Sequence, residues 1–207
     1  FDPDPEITTA EADELIAEVD AALKRPGVEA LTLSGSSPSP ATHGVYSELI
    51  SRAGARRIPV FLDTYGPALE AIWGFWPTVI QMNRREAAMR LGKPSANDDE
   101  MFGLLRDWGR RGVDWAVVTD GPGAVFARMG NALYGATPPR IEVRNPIGSG
   151  DSMLAGLVDA RLRGLAPEEA LRRAVACAAA NASVWDAGAI DPDDVGRLET
   201  DVEIEAA

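Results

Sequence analysis

The stretch Asn145-Pro146-Ile147-Gly148-Ser149-Gly150-Asp151-Ser152 decides how the rest of the chain is interpreted. Two glycines flank a serine, a carboxylate follows, and the small apolar run that begins at Met153 predicts a buried helix. A helix N-terminus presents backbone N–H groups and positive potential, so this turn suits a phosphate or a developing anion. Asp151 is then a proton acceptor beside a phosphoryl group that the amides of Gly148–Gly150 hold. The alternative is a plain tight turn with a helix cap, because short glycine motifs also match by chance.

The composition excludes several classes of function. The 207 residues are 45% apolar and 25% charged, as in soluble globular proteins, and the net charge of −12 argues against nucleic acid or an anionic membrane as a partner. No apolar run is long enough to span a bilayer. The single cysteine, Cys177, excludes an internal disulfide and is typical of a reducing cytoplasm. The chain opens on Phe1–Pro5, which is expected to be extended, and it is expected to be the middle of a longer protein.

Apolar strands alternate with helices, which predicts an α/β fold with a largely parallel central sheet in a single domain over residues 1–207. The predicted strands are 30–33, 58–62, 78–82, 115–119 and 140–143, with a hairpin over 124–134. The acidic tail from Asp191 predicts a short helix and a frayed end. Ligands bind at the carboxyl ends of parallel strands. Polar or glycine-rich loops fall at those ends: Ser34–Ser37, Asp63-Thr64, Asn83–Glu86, Thr119–Gly123 and Gly148–Asp151.

Two of these loops, and one residue in a predicted helix, have two interpretations each. Asn83 and Glu86 are three residues apart at a helix start, where they could order a hydrated Mg²⁺ or form a capping box. The loop Thr119–Gly123 could bind phosphate or ribose through its amides, or be a hairpin turn. Asn181 is an amide in an alanine-rich buried helix, and its polar atoms need partners from a ligand or from backbone.

Taken together, these residues resemble the PfkB or ribokinase family of carbohydrate kinases. The similarity runs from about Pro5 to Ile190 in the same order and spacing, and residues 145–156 look like the family's C-terminal signature. The loops 33–38, 62–66 and 83–86 look most like the branch that contains 1-phosphofructokinase and tagatose-6-phosphate kinase. The resemblance implies a ribokinase-like three-layer α/β/α sandwich. It also implies a cytoplasmic, ATP- and Mg²⁺-dependent kinase that phosphorylates a hydroxyl group of a sugar or sugar phosphate.

The resemblance also assigns roles to individual residues. It makes Asp151 the catalytic base and Gly148, Ser149 and Gly150 the anion hole. Asn83 and Glu86 correspond to a pair that orders metal and phosphate, and Ser36 falls where this branch approaches the substrate phosphate. The residues that match nucleotide-lining positions are Thr119, Gly121, Gly123, Asn181 and Gly188.

The chain departs from the family pattern in three places. The family's N-terminal portion, with its lid and most of its sugar-binding residues, is absent from the printed chain. The chain is expected to carry the nucleotide-binding and catalytic half, and to be inactive as it stands or a fragment of an active parent. The lid often mediates dimers, so a homodimer is expected only of the full-length protein. Gln81-Met82 stands where the branch usually has Lys-Pro, and the loop Asp120–Gly123 is one residue short. The alternatives are a PfkB kinase of a ribose-like sugar or a nucleoside, and a non-catalytic nucleotide-binding relative.

Overall fold

The computed structural model describes residues 6–72 and 74–207. The segment Phe1–Pro5, which the sequence predicts to be extended, lies outside the described residues. The chain divides into two compact units, Phe1–Ile80 and Gln81–Ala207. None of the helices in the described part of the chain has both the length and the apolar character that a bilayer crossing requires.

The first unit is a pair of parallel strands with helices. Its elements are α1 (Thr9–Ala22), β1 (Leu31–Ser34), a 3₁₀ turn (Pro40–Thr42), α2 (Val45–Ala55), β2 (Val60–Asp63) and α3 (Pro67–Glu70). Strand β1 pairs in parallel with β2, with Leu31 opposite Val60. Val60, Phe61 and Leu62 are each at most 2% exposed. Successive strand residues point to opposite faces of a sheet, so β2 is covered on both faces.

The second unit holds most of the strands. The boundary between the units falls within β3 (Val79–Asn83), and the elements that follow are α4 (Arg84–Arg90), α5 (Asp98–Arg110), β4 (Trp115–Thr119), β5 (Val125–Met129), β6 (Ala132–Thr137), α6 (Ser149–Leu162), α7 (Pro167–Ala182), α8 (Pro192–Glu199) and β7 (Glu203–Ala206). Strands β4, β5, β6 and β7 are successive antiparallel neighbours. Helix α5 packs on β4 and β5, and α7 packs on β5 and β6. The predicted α/β class and the hairpin over 124–134 are confirmed.

Two predictions about secondary structure are wrong. Residues 140–143 form no strand. Pro138 and Pro139 supply no N–H to a ladder, and the N–H groups of Arg144 and Asn145 donate instead to the carbonyl of Ala182 at 2.8 and 3.2 Å. The chain end is not frayed, because β7 pairs with β6.

The sequence of β7 contains the alternating pattern that is typical of a strand. Val202, Ile204 and Ala206 alternate with two glutamates, which is the period-two signal of a strand. Ile204 lies opposite the buried Ala136 of β6. The high acidity of the tail concealed this alternation.

Helices α6 and α7 approach each other closely at Gly156. A Cβ atom at Gly156 would lie 2.8 Å from the Cα of Ala174 and 3.1 Å from the Sγ of Cys177. Burial raises the pKa of the Cys177 thiol, as expected for a sulfur enclosed between two helices. The absence of a side chain at Gly156 therefore sets the distance between the helices, and with it the position of α6.

We expect Gly156→Ala to lower the free energy of unfolding by about 1–3 kcal/mol, because the added methyl group meets backbone that cannot rotate away. Urea unfolding followed by circular dichroism measures this difference.

Gly103→Ala is the matched control. Gly103 lies inside α5, is exposed, and has no heavy atom within 4 Å of the place a Cβ would take. Alanine is the better helix former, so we expect this variant to gain up to about 1 kcal/mol. Equal effects of the two substitutions would contradict the close packing at Gly156.

Candidate active site

Asn181, at the end of α7, is the centre of the first cluster of predicted site residues. Its side chain is fully buried, at 0% exposure. Its Nδ2 group donates to the carbonyl of Ile147 at 2.8 Å and to the Oγ of Ser149 at 3.1 Å. Its Oδ1 atom accepts from the N–H of Gly188 at 2.7 Å. Protein groups, chiefly backbone, therefore satisfy this buried amide, and a direct contact of Asn181 with a nucleotide stays a prediction.

A second asparagine fastens the same loop. The Nδ2 group of Asn145 donates to the carbonyl of Trp185 at 2.8 Å, and its Oδ1 atom accepts from the N–H of Ile147 at 3.0 Å. The loop before α6 is thus bound at two points to the end of α7 and the segment that follows it. Such ties hold the N-terminus of α6 in a fixed place.

Gly148 is the N-cap of the 14-residue helix α6 and adopts the left-handed conformation, with φ of 81°. A side chain there would be strained, and its Cβ would also lie 3.2 Å from the Cβ of Ala187. Among the residues that the structure describes, no acceptor meets the N–H groups of Gly148 and Gly150. Asp151 is exposed in the first turn of the helix. The geometry therefore places two unpaired amides and a carboxylate at one helix N-terminus, where an anion is favoured.

Asn83 and Glu86 form the capping box that the sequence left as an alternative. The N–H of Glu86 donates to the Oδ1 of Asn83, and the N–H of Asn83 donates to the Oε2 of Glu86, both at 3.0 Å. The box uses one carboxylate oxygen and leaves Oε1 of Glu86 for another contact. Within the described ranges, no group of three or more His, Cys, Asp or Glu residues could hold a metal ion. This donor set fits Mg²⁺ that keeps its waters and is bound mainly through phosphates.

The loop Thr119–Gly123 is a tight turn between β4 and β5. The N–H of Gly123 donates to the carbonyl of Asp120 at 2.8 Å, and Gly121 has a φ of 55°. The Oδ2 atom of Asp120 accepts a hydrogen bond of 2.8 Å from Nη1 of Arg84. This ion pair joins the turn to the Asn83–Glu86 motif.

The structure thus brings the predicted residues of the second unit into two clusters. Gly148–Gly150 meet Asn181 and Gly188 in one, and Asn83–Glu86 meet Thr119–Gly123 in the other. Ser36 belongs to the first unit, where it is exposed in the loop after β1.

The loop that contains Ser36 is held by side chains on both sides. The hydroxyl of Tyr46 donates to the carbonyl of Ser34 at 2.8 Å, and the hydroxyl of Thr64 donates to the carbonyl of Gly35 at 2.7 Å. Burial, together with the nearby charge of Asp63, raises the pKa of Tyr46, so the phenol stays protonated as a donor. These bonds fix the backbone next to Ser36.

Sequence reasoning missed the parts played by Arg84 and Asn145. Arg84 lies inside the Asn83–Glu86 motif, but its partner Asp120 is 36 residues away and nothing local indicates the pairing. The bond from the N–H of Ile147 to Asn145 spans two residues, and asparagine before a turn is a recognised signal for it.

Gln81, where the resemblance expects lysine, is buried at 2% exposure. In the part of the chain that the structure describes, its Oε1 atom is buried and has no hydrogen-bond partner. A buried polar atom without a partner costs about 1–3 kcal/mol. Gln81 therefore contributes an unsatisfied acceptor where a lysine would contribute a positive charge.

We expect Asn181→Asp to lower the free energy of unfolding by about 2–4 kcal/mol at pH 8, because a buried carboxylate would face the carbonyl of Ile147. Protonation turns the carboxyl group into a donor, so the deficit relative to the wild type should shrink as the pH falls. Urea unfolding of both proteins between pH 5 and pH 8 measures the difference.

Asn131→Asp serves as the control, because Asn131 is exposed and its Oδ1 atom already accepts from Arg128. We expect no loss of stability in this variant. A deficit for Asn181→Asp no larger than that of the control would contradict the role of the buried amide.

Three solved structures share the fold. A possible 1-phosphofructokinase from Thermotoga maritima matches with a TM-score of 0.85 and 19% identity, over 100% of this chain and 65% of that chain. Phosphofructokinase-2 from Escherichia coli in complex with fructose-6-phosphate matches with a TM-score of 0.77 and 21% identity, over 97% and 64%. The same protein in complex with potassium matches with a TM-score of 0.81 and 20% identity, over 91% and 62%.

These matches confirm the predicted ribokinase-like α/β fold. The chain spans less than two thirds of the length of each of the three proteins, with 65%, 64% and 62% covered. Residues 6–194 match the family described as pfkB family carbohydrate kinase, and both clusters of site residues lie inside the match. The chain therefore belongs to the pfkB family of carbohydrate kinases.

Proposed function

We propose that this chain carries the nucleotide-binding and catalytic residues of an ATP-dependent kinase that phosphorylates a hydroxyl group of a sugar or sugar phosphate. The observation that carries the proposal is the N-terminus of α6. Its loop is fixed by Asn181, it leaves the N–H groups of Gly148 and Gly150 unpaired, and it places Asp151 beside them. Membership of the pfkB family supports the same conclusion.

In the proposed reaction, Asp151 accepts the proton of the substrate hydroxyl group as the hydroxyl oxygen bonds to the γ-phosphorus of ATP. The bond between the γ-phosphorus and the bridging oxygen breaks, and that oxygen leaves with ADP. The unpaired N–H groups of Gly148 and Gly150 meet the charge on the phosphoryl oxygens, whereas the N–H of Ser149, which the resemblance includes in the anion hole, donates to the carbonyl of Pro146 at 3.3 Å. The chain thus supplies a proton acceptor and an anion hole from one helix turn.

The second cluster has the corresponding role for the donor. Bound Mg²⁺ would neutralise phosphate charge. One carboxylate oxygen of Glu86 is used in the capping box, and the other would orient the metal ion through a water molecule. Asn83 would hold Glu86 in place. We assign the nucleotide to a surface that includes Thr119, Gly121, Gly123 and Gly188, with Asn181 acting through the loops that it fixes.

We propose a sugar phosphate as the class of substrate. The matched Escherichia coli protein is described in complex with fructose-6-phosphate, and we extend a sugar-phosphate substrate to this chain, with Ser36 near the substrate phosphate. A further structure of that protein is described as a tetrameric inhibited form. For this protein we propose a single ribokinase-like domain, a homodimer when full-length, and a cytoplasmic location, which the lone free thiol of Cys177 fits.

A non-catalytic nucleotide-binding relative is the second candidate. Gln81 favours it, because the buried amide offers no positive charge where the branch usually has lysine. Both candidates bind ATP, and only the first consumes it.

We expect Mg²⁺-ATP to raise the melting temperature of the full-length protein, and ADP to form when fructose 1-phosphate, fructose 6-phosphate, tagatose 6-phosphate or ribose is supplied to it. Asp151→Asn should lower kcat by about 10²–10⁴-fold and leave the shift in melting temperature unchanged, because it removes a proton acceptor and not a nucleotide contact. A thermal-shift titration and a coupled assay of ADP measure the two effects.

Asp13→Asn, an exposed carboxylate on α1, is the control and should match the wild type in both assays. Full turnover by Asp151→Asn would remove Asp151 as the base. Stabilisation by ATP without turnover of any of the four sugars would favour the second candidate. No stabilisation by ATP would contradict both.

A further inference from the structure

We infer that Arg84 is a positioning residue for the nucleotide, which neutralises Asp120 and fixes the turn Asp120–Gly123 beside the Asn83–Glu86 motif. The inference rests on the proposed function, because the turn matters only if a nucleotide binds there. It concerns a residue that the family resemblance did not single out.

The guanidinium group of Arg84 ties three segments of the second unit together. Nη1 donates to the Oδ2 atom of Asp120 at 2.8 Å, Nε donates to the carbonyl of Ala96 at 3.0 Å, and Nη2 donates to Asp98. The planar fork of an arginine holds these acceptors in fixed relative positions, which a lysine cannot do. Arg84 therefore joins the turn after β4 to the start of α5 and to the start of α4.

The same guanidinium group rests on the sheet. Its central carbon lies 5.1 Å from the centre of the Phe126 ring. Phe126 is 3% exposed in β5, and the edge-on ring of Phe102 packs against it at 5.4 Å between centroids. An exposed ion pair usually contributes little, partly because two mobile side chains must be ordered. Here packing and the bond to Ala96 already order the arginine, so the bond to Asp120 can restrain the turn.

Arg84 also compensates the negative charge of Asp120. Asp120 is the first residue of the turn, and its carboxylate is 45% exposed. In a protein with a net charge of −12, an uncompensated carboxylate there would repel the phosphates that the neighbouring amides are proposed to meet. Hydrogen bonds to Asp98 and Asp120 raise the pKa of Arg84, so the guanidinium group keeps its compensating charge at neutral pH.

The test compares Arg84→Met with Arg90→Met in ligand-free and ligand-bound protein. Arg90 is the matched control, because it is an exposed arginine in the last turn of the same helix. Amide hydrogen exchange at residues 121–123 measures the order of the turn without ligand. Calorimetric titration with Mg²⁺-ATP measures Kd. We expect Arg84→Met to speed exchange and to raise Kd about tenfold, as for the loss of one charged hydrogen bond, and Arg90→Met to change neither.

The double substitution Arg84→Met with Asp120→Asn separates charge compensation from a structural role. It removes the repelling charge together with its partner, so Kd should fall back toward the wild-type value relative to Arg84→Met alone. A purely structural arginine predicts no such recovery. Arg84→Lys, which keeps the charge and loses the fork, should restore part of the affinity, and it replaces Arg84→Met if the latter does not fold.

The outcomes distinguish the two levels of the proposal. Binding by the wild type with equal Kd and equal exchange for Arg84→Met and Arg90→Met would contradict the role of Arg84 alone. No recovery in the double variant would contradict charge compensation. Absence of Mg²⁺-ATP binding to the wild type would contradict the proposed function and, with it, a nucleotide role for Arg84.

Discussion

The buried side chain of Asn181 is the constraint on which the candidate site depends. An amide at 0% exposure has to be satisfied within the protein, since a buried polar group without a partner costs about 1–3 kcal/mol. Its partners are not scattered. They are the carbonyl of Ile147 and the hydroxyl of Ser149 on one side, and the N–H of Gly188 on the other. The free energy that would be lost by moving either loop is therefore what keeps the first turn of α6 in place.

Helix α7 contacts α6 at Gly156 and also binds the loop that leads into α6. Ala174 and Cys177 face Gly156 closely enough that only glycine fits, which fixes the distance between the two helices. Asn181, further along the same face of α7, then fixes the loop that leads into α6. A rigid helix carries both contacts, so the separation of the helices and the conformation of the loop are not independent. Packing sets where the helix lies, and hydrogen bonding sets where its N-terminus points.

The sequence predicts those parts of the site that depend on local pattern. The loop at Gly148–Asp151 follows from its glycines and the helix after it, and strand β4 follows from its apolar run. The prediction of a strand at 140–143 was wrong because the N–H groups that follow bind the end of α7, a partner roughly forty residues away in the chain. A capping box and a metal-ordering pair both require Asn83 and Glu86 at the same spacing, so the sequence cannot distinguish them. The structure shows the capping box, and this box does not exclude a metal. The pairing of Arg84 with Asp120 has no local signal at all.

Asp151 and the phosphoryl group would place two negative charges at the same helix N-terminus. The first turn of α6 attracts negative charge, and on the proposed mechanism both the carboxylate and the phosphoryl group compete for it. On that mechanism the competition ends with the transfer. Asp151 becomes neutral when it accepts the proton of the hydroxyl group, and the phosphoryl group keeps its negative charge. A fixed dipole can therefore stabilise the carboxylate before the transfer and the phosphoryl group during it, without any movement of the backbone. This requires that the loop stay rigid, which is why a buried amide with every polar atom paired stands directly behind it.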